Sequence, residues 1–262
     1  MSMPLIDLRD GSGIPVLLLH AFPLDHRMWA AVAHEFPAGR RVVALELPGA
    51  GPAAREALPE PSIDASAQAV AAALDSAGIA RAVVVGLSMG GYVALALAER
   101  RPDLVAALGL VDTKSEADSA QARDNRLRIA ASVESSESVD AVRPMARTLV
   151  GETTLAARPE LSEQVGAWIG EQSPRFVAWS QRAMAARPDR THVLERFTGP
   201  VTVVVGDEDT LTPFVAAEHM VAASRHALLV VVPHAGHLTA VEQPGAVAAA
   251  LAELAQRADV AG

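Results

Sequence analysis

The sequence predicts an α/β protein, a mostly parallel sheet flanked by helices with a helical cap inserted. Three observations carry the expectation. Short apolar runs alternate with amphipathic stretches over the first 112 residues, the apolar runs stop between about Thr113 and Arg190, and they return between residues 200 and 233. Apolar runs of strand length separated by helical patterns describe parallel strands buried on both faces, and an interruption of that pattern describes an insertion into the sheet.

The runs IPVLLLH (14–20), RVVALEL (41–47), AVVVGL (82–87) and LVAALGLVD (104–112) read as strands, with helices between them at about 26–36, 63–77 and 89–101. The third helix has a credible end: Glu99-Arg100-Arg101 sets cations at its negative terminus, and Pro102 cannot continue it. The stretch from 113 to 190 reads as about four helices. Ser138-Val139-Asp140 can cap one that carries Val142, Met145 and Leu149, and Ser173-Pro174 pairs an N-cap with proline at the first helical position. Strands resume at PVTVVVGD (200–207) and HALLVVVP (226–233), and a helix from about Val241 to Arg257 follows. The expected organisation is a core of residues 1–112 and 191–262 carrying a cap of residues 113–190.

Composition removes several function classes. The chain has 262 residues, half of them hydrophobic and 20% charged, with a mean hydropathy of +0.23, which suits one globular core with an insertion. The net charge is −9 and no long basic run is present, so nucleic acid is not an expected partner. With no cysteine there is no thiol nucleophile, thiolate metal site or disulfide. Lys114 is the sole lysine, and it lies in TKSEAD without the glycine-rich setting of a phosphate loop. Asp7 and Asp10 stand where an export signal needs a basic and then an apolar stretch, so a cytoplasmic location is expected. The longest uncharged run, Ala82 to Ala98, is shorter than about 20 residues and holds three glycines, so no membrane span is expected.

The chemistry concentrates at Gly86-Leu87-Ser88-Met89-Gly90, where an apolar strand meets a helix. A nucleophilic serine on so sharp a turn presses together the residues two before and two after it, and both are glycine here. The helix that starts there offers free N–H groups to an oxyanion. A structural serine in a glycine-rich turn is the plainer alternative. A nucleophile also needs a base and an orienting carboxylate from later loops. Gly206-Asp207-Glu208-Asp209-Thr210-Leu211-Thr212-Pro213 supplies three acids, and Pro233-His234-Ala235-Gly236-His237 supplies two histidines. From the residues alone these alternatives stay open, although a metal reading of His-x-x-His lacks any supporting ligand context.

Over nearly its whole length, with these three loops in order, the chain resembles the α/β-hydrolase superfamily, in particular the capped serine hydrolases such as enol-lactone hydrolases, carboxylesterases and cofactor-free haloperoxidases or perhydrolases. The resemblance implies Ser88 as nucleophile, Asp209 as acid and His237 as base, with Asp112 as the alternative acid, since some members of the superfamily place it after the strand that ends there. It also implies oxyanion donors at the backbone N–H groups of Phe22 and Met89, with Ala21 where the family usually has glycine. The turn Glu46-Leu47-Pro48-Gly49-Ala50-Gly51 resembles a structural turn of the family with Glu in place of Asp, and no cofactor is implied. Trp168, Phe176 and Trp179 either form the cap's own core or line an acyl pocket beneath it. The expected activity is hydrolysis of a carboxylic ester, lactone or thioester of a small molecule. A cofactor-independent dioxygenase or lyase, and a ligand receptor that keeps the triad, are the competing readings. Substrate identity and oligomeric state are not legible.

Overall fold

The computed structural model describes residues 4–51 and 58–261. Seven strands form one sheet in the spatial order β1 (Ile6–Arg9), β3 (Arg40–Leu45), β2 (Ser12–Leu19), β4 (Ala82–Leu87), β5 (Val105–Val111), β6 (Val201–Gly206) and β7 (Ala227–Val232). Only β1 runs antiparallel to its neighbour. The expected class is therefore observed, with one strand more than the apolar runs indicated. β1 has only four half-exposed or exposed residues on a sheet edge, too few and too polar to produce a run.

The central strands are apolar because both their faces are covered. Val16 to Leu19 of β2 and Val83 to Val85 of β4 are fully buried, and each such side chain contributes about 1.5–3 kcal/mol by leaving water. One covering layer is α12 (Pro244–Ala261), which packs on β2, β4, β5 and β6 and against α1 (Ala30–Glu35). The other is α3 (Met89–Arg100), which packs on β2, β4 and β5 and against α2 (Ile63–Ser76), whose N-cap Ser62 accepts the Ala65 N–H.

Between β5 and β6 the chain forms α4 (Ala120–Ser136), α5 (Met145–Thr148), α6 (Glu152–Ala157), α7 (Pro159–Gly170) and α8 (Pro174–Ala185), with α4 packed on α8. Five helices stand where about four were expected. Ser173 caps α8 by accepting the Phe176 N–H at 3.1 Å, as its sequence suggested. The helix expected after Ser138 is reduced to turns and the four-residue α5. Its interruption falls at Pro144, which has no N–H to donate and disfavours helical backbone in the residue before it. The short α9 (Thr191–Arg196) and α10 (Phe214–Ala223) were not anticipated, and the last helical stretch begins earlier than expected with α11 (Thr239–Glu242).

The connection from β2 goes to β3 on one side, and the chain then crosses back to place β4 on the other side of β2. At such a reversal the loops leaving the carboxyl ends of the two strands diverge and open a crevice. The loop that follows β2 and the turn that follows β4 are the segments containing Phe22 and Ser88.

Candidate active site

Ser88 occupies the turn between β4 and α3 with φ 52° and ψ −111°. This backbone is unfavourable for a residue with a side chain, by about 1–3 kcal/mol, and persists only where the surroundings enforce it. They do so through three contacts: Ser88 N donates to Val111 O at 2.9 Å, Thr113 Oγ1 donates to Ser88 O at 2.8 Å, and the turn is closed by glycines. A Cβ on Gly86 would lie 2.1 Å from the Gly90 carbonyl carbon, and one on Gly90 would lie 2.2 Å from Leu19 O. The glycine requirement inferred from the motif thus has a direct steric cause.

His237 Nε2 lies 2.9 Å from Ser88 Oγ, and its Nδ1 lies 2.9 Å from Asp209 Oδ2. Both His237 and Asp209 are buried, whereas Ser88 is only partly so. Asp209 Oδ1 accepts from the N–H groups of Leu211 (2.8 Å) and Thr212 (3.0 Å), and the Thr212 hydroxyl donates to Oδ2. Burial works against the charge of this carboxylate, but His237 and Thr212 outweigh it and pull its pKa below the ordinary aspartate value.

The competing acids and base lie elsewhere. Asp207 and His234 are exposed, and Glu208 accepts from Thr153 N and Oγ1 at the start of α6. Asp112 is fully buried but turned away from His237: it accepts from Gly206 N (3.1 Å), Thr239 N (3.1 Å) and Thr239 Oγ1 (2.6 Å). Burial, reinforced by the nearby Asp209 charge, pushes the Asp112 carboxyl up. Its hydrogen bonds tie the ends of β5 and β6 to the loop that carries His237.

Phe22 and Met89 are both buried, and among the described residues no acceptor takes up their backbone N–H groups. His20, at the start of the same loop, is wholly buried, with Nδ1 2.9 Å from Ala21 O and Nε2 accepting the Leu47 N–H at 3.0 Å. Its two ring nitrogens are therefore occupied with holding the loop. Asp25, His26 and Glu46 present possible ligand atoms within 4.8 Å of one another, yet Asp25 is already bonded to Arg27 and Gln172, and His26 to Glu46.

Ser88 and His237 open on a cavity of about 310 Å³. Phe22, Tyr92, Leu211 and Thr212 line it from the sheet side, and Lys114, Arg126, Ile129, Met145, Leu149 and Met184 from the segment between β5 and β6. The three aromatic residues singled out in that segment do not line it. Phe176 is wholly buried with its ring centroid 6.2 Å from that of Phe22, one layer behind the cavity wall. Trp179 donates Nε1–H to Pro59 O at 2.6 Å, and Trp168 lies beneath the Arg27 guanidinium at 5.9 Å. Amphipathic spacing indicated that these rings face inward, but not which interior they face. The residues missed by sequence reasoning are the methionines, leucines and cations of the wall, and the unique Lys114 was the one visible signal among them.

A family model for the alpha/beta hydrolase fold matches residues 14–244. The chain belongs to the α/β hydrolase fold family. Within this family it is similar to a thermophilic esterase from Thermogutta terrifontis, with 35% identity and a TM-score of 0.91 over 98% of this chain and 93% of that one. It is 28% identical to a pimeloyl-[acyl-carrier protein] methyl ester esterase of Neisseria meningitidis serogroup C, over 85% of this chain and 86% of that protein. It is also 30% identical, over 90% of its own length, to the dihydrolipoyllysine-residue acetyltransferase component of the acetoin cleaving system of Pseudomonas putida, and it spans 62% of that protein. The loops after β2, β4, β6 and β7 meet at the cavity together with the segment that follows β5. Among the described residues no helix is long and apolar enough to cross a membrane.

Proposed function

We propose that the protein is a serine hydrolase that cleaves an ester-type bond of a small molecule through an acyl-enzyme. The observation that carries this reading is the continuous hydrogen-bonded series from Ser88 Oγ through His237 to Asp209, with both links at 2.9 Å, at the floor of a cavity large enough for a small substrate. Ser88 Oγ attacks the carbonyl carbon while His237 Nε2 takes its proton. Asp209 holds the Nδ1–H tautomer and stabilises the imidazolium as it forms. The N–H groups of Phe22 and Met89 receive the oxygen that becomes negative, and they are suited to this because no acceptor among the described residues takes them up. His237 returns its proton to the leaving alcohol, and water activated by the same imidazole then releases the acid. Similarity to an esterase at 35% identity and to a methyl ester esterase supports this bond type.

In the same reading, residues 113–190 act as a cap that shapes the acyl and alcohol sites and adds nothing to the relay. The lining residues from α4, α5 and α8 support it. Labelling by a fluorophosphonate tests the nucleophile. We expect one label, on Ser88, and Ser88→Ala should lower kcat by about 10⁴–10⁶ with the melting curve preserved. A label on another serine with Ser88 unmodified rejects the assignment.

A further inference from the structure

The wall of the cavity carries surplus positive charge. Lys114 and Arg126 both line it, and neither belongs to the Ser88 relay. Both turn toward Asp118, whose side chain is only 3% exposed: Arg126 Nε lies 2.6 Å from Oδ2 and Lys114 Nζ 3.4 Å from Oδ1. A third cation binds the same carboxylate at short range. Arg187, 2% exposed, reaches Oδ2 at 2.8 Å and Oδ1 at 2.9 Å, and its guanidinium stacks 4.0 Å from the Tyr92 ring centroid. Burial opposes a charge on Asp118, but Arg187 and Arg126 hold its carboxyl well below the ordinary aspartate range. Three cations thus face one anion, in a chain whose net charge is −9.

Arg187 alone balances Asp118. Arg126 divides its remaining donors between Gln181 Oε1 at 3.2 Å and Met184 Sδ at 3.4 Å, and neither partner carries charge. Lys114 is the least committed of the three. Its one ionic partner among the described residues is Asp118 at 3.4 Å, its side chain is a quarter exposed, and its flexible stem lets the ammonium turn into the cavity. In a partly dry cleft such a surplus attracts an anion far more strongly than it would on an open surface.

We infer that this surplus receives a carboxylate of the substrate, so that the enzyme prefers esters or lactones bearing a free carboxylate away from the scissile carbonyl, with Lys114 as its main contact and Arg126 supporting. The inference rests on Ser88 being the nucleophile that faces the same cavity. A neutral chain would leave Lys114 and Arg126 to share the one carboxylate that Arg187 already balances, whereas a substrate carboxylate adds a second anion and replaces the lost water with charge-assisted hydrogen bonds.

The test compares kcat/KM for two matched pairs. Mono-p-nitrophenyl glutarate against p-nitrophenyl valerate places the carboxylate on the acyl side, and 4-butanoyloxybenzoate against phenyl butanoate places it on the alcohol side. In at least one pair, Lys114→Gln should lower the anionic-to-neutral ratio by about ten- to a hundredfold, the range of one charge-assisted contact. Lys114→Arg should retain most of the preference, and added salt should weaken it in the native enzyme. A ratio unmoved beyond twofold in both pairs, in a Lys114→Gln protein with native melting behaviour that still hydrolyses the neutral esters, overturns this inference alone. Failure to hydrolyse any of the four, together with no fluorophosphonate label on Ser88, overturns the reading of the site and this inference with it.

Discussion

Replacing Asp209 by Asn tests the assignment of the acid with almost no change of shape. The amide must choose an orientation. Its oxygen can stay where Oδ1 accepts the N–H groups of Leu211 and Thr212, at 2.8 and 3.0 Å, and the NH2 group then faces His237 Nδ1 at the position of Oδ2. The reverse orientation sets an NH2 against two backbone donors. Leaving each of them unsatisfied costs about 1–3 kcal/mol, so the first orientation wins by a few kcal/mol. The amide then donates to Nδ1, and the imidazole carries its proton on Nε2, directed at Ser88 Oγ, where it cannot accept the serine proton. The imidazolium formed during attack also loses its counter-charge. We expect kcat to fall by about 10³–10⁴, a barrier increase of about 4–5.5 kcal/mol. Stopped-flow acylation by p-nitrophenyl acetate reports the step directly, with thermal melting to establish the fold. Asp112→Asn is the matched control, because its carboxylate touches Gly206 and Thr239 and not His237, and a folded variant should lose less than about tenfold. If Asp209→Asn stays within tenfold of the native enzyme, or if Asp112→Asn is the more damaging change, the acid has been misassigned.

Gly86→Ala would place a methyl 2.1 Å from the Gly90 carbonyl carbon, so the Ser88 turn must open; kcat should fall at least about a hundredfold, and an alanine enzyme of native rate would refute the steric account. Glu242→Gln removes one acceptor oxygen from a wholly buried carboxylate that serves the N–H groups of Gly151, Gly236 and Leu238, and urea unfolding should show a loss of about 1–3 kcal/mol. Asp118 has a lowered pKa in the folded state, so its stabilising contribution is complete above its ordinary value of 3.8 and is lost as pH falls below that; Asp118→Asn should flatten the decline in melting temperature between about pH 4.5 and 2.5, and parallel curves for the two proteins would contradict this. Phe176→Ala should lower the melting temperature more than it changes the preference between short and long acyl esters, because the ring packs behind Phe22 and does not line the cavity; the opposite pattern would place it in the substrate site.

How much of this could be read in the sequence depended on whether the signal was local. Ser88 sits in a turn whose steric demands are met by its immediate neighbours, and the loops of Asp209 and His237 each follow a strand that is mostly Val and Leu. Which of the two histidines reaches Ser88, and which of the candidate acids reaches that histidine, is a matter of side-chain direction, and the residues alone leave it open. β1 escaped notice because four residues on one edge bury too little to leave a pattern, and α5 was overestimated because apolar spacing was given more weight than Pro144. The cavity wall was the least legible part. It is assembled from α4, α5 and α8 together with Phe22, Tyr92 and Leu211, and tertiary packing alone decides that Met145, Leu149 and Met184 face it while Phe176 faces Phe22 and His20.

The helices between β5 and β6 are joined to the relay loops along one narrow seam. Gly151, which opens α6, donates to Glu242 at 2.8 Å, and the same carboxylate accepts from Gly236 at 2.9 Å and Leu238 at 3.3 Å, the residues on either side of His237. Glu208, next to Asp209, accepts from Thr153 in the first turn of α6, and Arg158 at its end donates to Glu242 O at 2.8 Å. The backbones nearly touch: a Cβ on Gly236 would lie 2.4 Å from Gly151 N. A buried carboxylate shared among three N–H groups resists separation, because each donor parted from it inside the protein loses about 1–3 kcal/mol. In the proposed reading, an opening of this segment to admit substrate costs least when α6 stays in place and the part opposite the seam moves, where α4 and α8 carry Arg126 and Met184 at the cavity. In the same proposed reading this seam keeps His237 registered to Ser88, while the wall that would meet the substrate is built from other contacts, so chemistry and choice of substrate rest on separate parts of the chain.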